Sequence, residues 1–448
     1  MPNIYDIAWK TLLLLAAPAI AFMPRFRRKA ARAFRERMGH DVPFAPADAP
    51  PCVMVHAVSL GEINATRALV DQLKAARPDL RFLVTVTTDT GFARGKEMYG
   101  GRGDVTVVRY PLDLSAGIRR LLDRQRPGVV VLMELEVWPN FTWHCRQRGI
   151  PVVLVNGRLT DSSFKQYRWL GPVGRAMFGR LAEVCVQDIV YRDRFRTLGV
   201  KPEAIEVTGT MKFDNAQVAD RIAGDRELAA EVGLHPGREP IWVCGSTGPG
   251  EERIVLDAYR TLLTTQPMLR LVIVPRHPER FDAVARLIAE CGFDVFRRSH
   301  SRQVAPAAMT SRPLPTAASP SAVVLGDTVG ELRKFYSIAD VVFVGRTLVD
   351  LGQRQRGSDM IEPAALAKPV IVGKWTDNFA DAMRHLKRAE GIIEIEAGVD
   401  LARAVSRVLN YPSESRDLGE HAREVVKSQQ GSTARHVEVI LRQLATRT

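Results

Sequence analysis

A chain of 448 residues with 46% hydrophobic and 25% charged side chains has ordinary globular composition, and its length favours two large domains over one. The net charge of +13 would suit a nucleic acid, a membrane surface or an anionic substrate, but nearly half of it is concentrated in one place. There Arg25, Arg27, Arg28, Lys29, Arg32, Arg35 and Arg37 face one acid, Glu36, beside the only strongly apolar N-terminal segment, which points to an anionic membrane surface; no nucleic-acid motif occurs elsewhere.

That apolar segment has its core at residues 12–23. It is short for a span, and its positive charge follows the apolar run, so it does not read as a signal peptide. The expectation is a membrane anchor, either a marginal span or an interfacial helix, with residues 25–37 on the cytoplasmic headgroups. A proline-rich linker, residues 41–51, leads into the first strand.

The chain then alternates. Short apolar runs at 53–55, 81–87, 104–110, 129–133, 151–156 and 184–187 read as buried strands, with helical stretches between several of them. From residue 241 the plan repeats, with strands expected at 241–244, 271–274, 323–325, 341–344 and 369–372 and a helix at 360–367. Residues 297–321 read as a mobile loop rich in Ser, Pro and Ala. A helix from about 413 to the end is long enough to cross back to the first domain. These alternations predict two doubly wound parallel-sheet, Rossmann-like domains facing across a cleft, the architecture of B-type glycosyltransferases. The expected division is an anchor and basic segment at 1–39, an acceptor domain at 40–215, a donor domain at 216–413 and a C-terminal helix at 414–448.

Candidate chemistry lies where strands end, because ligands of open α/β sheets sit beyond the carboxyl ends of the strands. The first such turn carries Ser59, Gly61 and Glu62. Glu62 can be a general base toward a substrate hydroxyl, or a first-turn acid that merely complements the helix dipole. The same dipole is expected to lower its pKa. Glu134 and Glu136 follow the strand at 129–133. In the second half, glycine-rich turns at 245–250, with Ser246 and Thr247, and at 326–331 present backbone amides that suit a phosphate, or are simply structural turns, which alone is the commoner case. Arg276 and His277 can pair with phosphate or base, Glu362 can accept from ribose, and Lys212 lies at the expected interdomain link. The cysteines, Cys52, Cys145, Cys185, Cys244 and Cys291, show no pairing by spacing, and the histidines show no metal-ligand spacing. No catalytic metal or cofactor is expected.

Taken together, His56-Ala57-Val58-Ser59-Leu60-Gly61-Glu62, Glu134-x-Glu136-x-Trp138-Pro139-Asn140, Asn156-Gly157-Arg158-Leu159, Thr208-Gly-x-x-Lys212-Phe213-Asp214, Val274-Pro-Arg-His-Pro-Glu-Arg-Phe281 and Gly326-Asp-Thr-x-Gly-Glu-Leu332 resemble one family in order. It is the 3-deoxy-D-manno-octulosonic acid (Kdo) transferases of lipid A assembly. The resemblance implies the B-type fold, CMP-Kdo as donor, a lipid A precursor as acceptor, and inversion without metal at the cytoplasmic face of the inner membrane. By position it implies Glu62 as proton acceptor and Glu134 and Lys212 as transition-state stabilisers. It implies CMP contacts at Pro275, Arg276 and His277, at Val329, Gly330 and Glu331, and at Asp359, Met360, Ile361 and Glu362. Ser59, Gly61, Glu136, Ser246 and Thr247 are further candidates for donor phosphate or acceptor contacts.

Three departures stand out. Arg356-Gly357-Ser358-Asp359-Met360-Ile361-Glu362-Pro363 replaces the family's Gly-Gly-His-Asn-Pro-Leu-Glu-Pro. Gly248 stands where the family often has His, and Arg346 replaces the second Gly of a Gly-Gly pair. Two other functions compete: a B-type transferase using a UDP-sugar and a lipid-linked acceptor, and an inactive membrane-anchored sugar-nucleotide-binding protein.

Overall fold

The computed structural model describes residues 5–7, 11, 34–301, 322–352 and 355–445. They divide into two compact units, one ending at Asn215 and resuming at Gln430, the other running from Ala216 to Gln429.

The first unit alternates β1 (Cys52–Ala57), α1 (Leu60–Ala76), β2 (Arg81–Val86), α2 (Asp89–Tyr99), β3 (Val105–Arg109), α3 (Ser115–Gln125), β4 (Val129–Met133), α4 (Pro139–Gln147) and β5 (Val152–Gly157). It continues through α5 (Asp161–Trp169), α6 (Gly171–Phe178), β6 (Glu183–Val186), α7 (Ile189–Thr197) and β7 (Ile205–Val207). The strands form one parallel sheet in the order β3-β2-β1-β4-β5-β6-β7. Val53, Val55, Val129, Val131 and Val153 face one core and Met54, Val130, Leu132 and Leu154 the other. This two-sided burial explains the continuous apolar runs of the sequence.

The second unit contains α8 (Asp225–Glu231), β8 (Ile241–Thr247), α9 (Glu251–Leu263), β9 (Arg270–Pro275), α10 (Phe281–Glu290), β10 (Val295–Arg297), α11 (Arg298–Ser301), β11 (Val323–Leu325), α12 (Leu332–Ile338) and β12 (Val341–Val344). After these come α13 (Ile361–Ala365), β13 (Val370–Gly373), α14 (Ala380–Arg388), β14 (Ile393–Ile395), α15 (Leu401–Asn410) and α16 (Pro412–Gln429). Its parallel sheet has the order β10-β11-β9-β8-β12-β13-β14. Each sheet thus has a point where strand order reverses, β1/β4 in one and β8/β12 in the other, the place where such sheets take ligands.

The structure differs from expectation at both ends of the chain. The single C-terminal helix is two, because Gly431 at φ 93° breaks it. The second of them, α17 (Ser432–Ala445), belongs to the first unit and packs on α1, β4 and β5. Its N-terminus is held by Asp214, whose carboxylate accepts from the Gly431 N–H at 2.7 Å and from the Thr433 N–H.

At the other end, residues 12–33 lie outside the described residues, and with them the apolar run 12–23 and most of the basic stretch. Among the described residues no helix is long and apolar enough to cross a membrane. The described part of the basic stretch packs against the first unit. Arg37 donates to the Thr87 carbonyl, Glu36 pairs with Arg109 at 3.1 Å, and the Arg37 carbonyl accepts from the Leu112 N–H at 2.9 Å. Asp6 is buried and accepts from the Ser115 N–H at 3.0 Å and Asn140 Nδ2 at 2.9 Å. Residues 34–39 are therefore part of the first unit's packing, earlier than the expected boundary at 40. The stretch expected as a loop at 297–321 begins instead with the end of β10 and the short α11, and 302–321 lie outside the described residues.

Candidate active site

The β1/β4 reversal brings three carboxylates to one sheet edge. Ser59 caps α1, and Glu62, three residues on, folds back over it. Val58 N–H donates to Glu62 Oε2 at 2.9 Å and Ser59 Oγ to Oε1 at 2.8 Å, while Glu62 N–H donates to Ser59 Oγ at 3.3 Å. This is a variant of the helix-start capping box, in which the carboxylate reaches past the cap amide to the Val58 N–H; it orients the carboxylate and leaves each oxygen a second lone pair. Gly61 is exposed, and a Cβ there would meet only Ser59 Oγ, at 3.9 Å. No internal contact demands glycine, so its effect is to keep the approach to Ser59 and Glu62 open.

The expected lowering of the Glu62 pKa is overturned. Burial, then the charge of Glu134, push it up from an ordinary 4.5 to about 7, against the hydrogen bonds from Val58 and Ser59. The desolvation of a half-buried group beside another carboxylate outweighs the helix dipole. Glu134 sits directly after β4 with φ 57°, a left-handed backbone that non-glycine residues rarely adopt and that clusters at functional sites. It is fixed there by its N–H to the Val155 carbonyl at 3.0 Å. Glu136 accepts from Trp138 Nε1 at 2.9 Å, and burial raises its pKa, with Trp138 opposing and Glu134 adding.

Lys212 reaches the same edge through a loop after β7. Asn156, at the end of β5 with φ 53°, accepts the Met211 N–H on its Oδ1 at 3.2 Å, and Lys212 N–H is 3.3 Å from Thr210 Oγ1. Asn156 is a positioning residue whose motif was visible in the sequence but whose task was not; Asn followed by Gly, a pair tolerant of left-handed backbone, was the available signal. His56, first in its motif, is a core residue. It stacks on Tyr110 with ring centroids 3.7 Å apart, and burial pushes its pKa down to about 3.

In the second unit the first glycine turn is not an open phosphate cradle. Glu251, fully buried, accepts from the N–H groups of Gly248 at 2.8 Å, Arg346, Thr347 at 2.8 Å and Leu348 at 2.9 Å. The protein's own carboxylate takes the place expected for an anion at 245–250. Thr247 is buried, and Ser246, at φ 56°, is nearly so. At 326–331, Asp327 pairs with Arg297, and Glu331 with Arg298 at 3.1 Å. The Glu331 side chain is thus engaged within the protein, while Val329 is exposed and Gly330 has φ 88°.

Pro275 ends β9, and Arg276 extends beyond it, exposed, its N–H on the Thr247 carbonyl at 3.1 Å. His277 is half-exposed, 3.8 Å from Glu279. Met360 and Ile361 are buried, so their backbone is what they can offer a ligand. Asp359 caps the turn by accepting from the Ile361 N–H at 2.9 Å. Glu362 is raised to about 7 by burial and then by Asp359, with Arg333 and Arg276 opposing. Arg333 lies 4.0 Å from Glu362, and its Nε and Nη2 are buried without a hydrogen-bond partner, donors still to be satisfied. Among the described residues no group of three His, Cys, Asp or Glu could hold a metal ion.

Comparison with known proteins gives these residues a context. The family model for the N-terminal part of 3-deoxy-D-manno-octulosonic-acid transferases (kdotransferases) matches residues 32–215. The 3-deoxy-D-manno-octulosonic acid transferase of Haemophilus influenzae is 34% identical over 96% of this chain and 97% of its own length. That of Bordetella pertussis is 33% identical over 90% of each. Among solved structures, a glycosyltransferase from Rickettsia africae matches 88% of this chain and 99% of its own at TM-score 0.56 and 13% identity, a likeness of fold.

Proposed function

The chain belongs to the 3-deoxy-D-manno-octulosonic acid transferase family and is a glycosyltransferase that transfers Kdo in lipid A assembly, and from that premise we propose how its residues do so. The donor is CMP-Kdo, taken by the second unit, and the acceptor is a lipid IVA-like precursor, taken by the first, at the cytoplasmic face of the inner membrane with the N-terminal segment as anchor. Transfer is inverting. Ionised Glu62 removes the proton from the acceptor hydroxyl as its oxygen bonds to the anomeric carbon of Kdo, and the bond from that carbon to the CMP phosphate breaks. Glu134 and Lys212 stabilise the charge that develops, and guanidinium groups, Arg276 first, take the charge of the departing CMP in place of a metal ion.

The observation that carries this reading is the Glu62 carboxylate: oriented by Ser59 and Val58, half-buried, and raised to about 7, where a base is both ionised and strong enough to take a proton near neutral pH. The test is CMP release from CMP-Kdo with and without a tetra-acylated lipid A precursor, in the presence of EDTA. Acceptor-dependent release that EDTA leaves unchanged is expected. No CMP release from CMP-Kdo, whether or not a UDP-sugar releases UDP in its place, would refute it.

A further inference from the structure

Arg346 follows β12 by two residues, at the reversal point of the second sheet. Its φ of 62° is a conformation that glycine adopts freely and an L side chain only under strain. The surroundings impose it, because its N–H is held by Glu251 and its carbonyl accepts from the Gly357 N–H at 2.7 Å. An arginine kept where glycine would be relaxed is a side chain retained for what it does.

That side chain lies over Gly248, across the reversal point. A Cβ built on Gly248 would stand 2.6 Å from Leu351 Cδ1 and 3.0 Å from Arg346 Cγ, so leucine and arginine together fill room that a side chain at 248 would need. The two departures noted in the sequence, glycine for His at 248 and arginine for Gly at 346, are therefore one exchange in space. Arg346 Nε donates to the Gln355 carbonyl at 3.0 Å, and its two Nη groups have no hydrogen-bond partner among the described residues. Glu251, the acid whose charge it feels, has its oxygens committed to four backbone N–H groups. Burial, then the like charge of Arg276, hold the Arg346 pKa below the usual arginine range. Both arginines flank Thr247: the Arg276 N–H donates to its carbonyl at 3.1 Å, and a Cβ on Gly345, next to Arg346, would stand 2.5 Å from its Cα, so an anion lying there can be shared between the two guanidiniums.

We propose that Arg346 and Arg276 form the subsite for the charged oxygens of the donor, either its phosphate or its sugar carboxylate, with Arg346 supplying from β12 a cation that position 248 lacks. The proposal rests on the donor reading above. It is tested in the full chain by titrating CMP, cytidine and CMP-Kdo against wild type, Arg346→Gly, Arg346→Lys, Gly248→His and the double variant Gly248→His/Arg346→Gly. Arg346→Gly relieves the backbone, so its melting temperature should not fall, whereas affinity for CMP, CMP-Kdo or both should fall about 10- to 100-fold, the scale of a lost charged hydrogen bond. Cytidine binding should not change. A loss shared by CMP and CMP-Kdo identifies the phosphate, and a loss confined to CMP-Kdo identifies the carboxylate. Arg346→Lys should retain part of the affinity, and Gly248→His should do more damage beside Arg346 than in the double variant. Wild-type affinity in Arg346→Gly for both CMP and CMP-Kdo would overturn the proposal, as would equal losses for cytidine. Wild type preferring UMP to CMP would overturn the donor reading instead, and Arg346 would then be judged on UMP.

Discussion

Replacing Glu62 by glutamine separates a base from a helix-start acid, because the two roles predict opposite changes in stability. Glutamine keeps the shape and can still accept from the Val58 N–H, so the capping pattern survives. It removes the need to ionise a half-buried group. With the folded pKa near 7 and an ordinary value of 4.5, wild type loses stability as pH rises. Below 4.5 the group is neutral whether folded or not; between 4.5 and 7 the unfolded chain ionises first; above 7 the folded protein holds the charge at full cost. The difference of 2.5 between those values, at 1.36 kcal/mol per unit, is about 3 kcal/mol as an upper bound. Glu62→Gln should therefore raise the melting temperature of the first unit by roughly 5–10 °C at pH 8.5 and by almost nothing at pH 4. Transfer should meanwhile fall roughly 10²–10⁴-fold, and the rise of wild-type kcat/KM through pH 7 should be absent from the residual rate. Thermal denaturation at the two pH values and a pH–rate profile measure both. A variant that is less stable at pH 8.5, or one that transfers at near the wild-type rate, would refute the reasoning.

Lys212→Ala should lower turnover at saturating substrates by roughly 10²-fold while leaving melting nearly unchanged, as single-turnover kinetics would register. Asp214→Ala should cost about 1–2 kcal/mol, the scale of a lost N-cap at α17, and lower the denaturation midpoint of the first unit. Removing residues 1–33 should abolish sedimentation with anionic liposomes at physiological ionic strength and cost the first unit the buried Asp6 bonds to Ser115 and Asn140 without unfolding it; removal through residue 39 should destabilise that unit further, since the backbone of residues 37–39 is bonded to α3 and its flank.

Both sheets were legible because buried parallel strands are written as unbroken apolar runs. The strands that escaped, β7, β10 and β14, are three-residue edge strands of their sheets, half-exposed and mixed in polarity, so they carry no such signature. Glu62 was visible by its place after β1, yet the sign of its pKa shift was not, because it depends first on burial in the fold and then on Glu134, some seventy residues away. The first glycine turn was open between two readings for a related reason. A helix N-terminus invites an anion, but whether a ligand or the chain's own Glu251 answers is settled by where β12 delivers its following loop. The exchange between Gly248 and Arg346 was present in the sequence as two unrelated departures, and only the adjacency of β8 and β12 joins them.

The return of α17 to the first unit also orders events during synthesis. Val437, Val439, Ile440 and Leu444 complete the same core as Val53, Val131 and Val153, yet the 216 residues from Ala216 to Gly431 are translated between that unit's last strand and this helix. At about 5–20 residues per second, the part of the β4/β5 face that α17 covers waits open for roughly 10–45 s after its strands have been made. The second unit, continuous in sequence, closes its core within that interval. The nascent chain thus carries a finished domain and a partly open apolar sheet at once, which makes the codons for α17 a quality-control point: a stop just before them yields a protein that keeps the residues of its donor-side subsite yet exposes a sticky patch for chaperones or proteases to find.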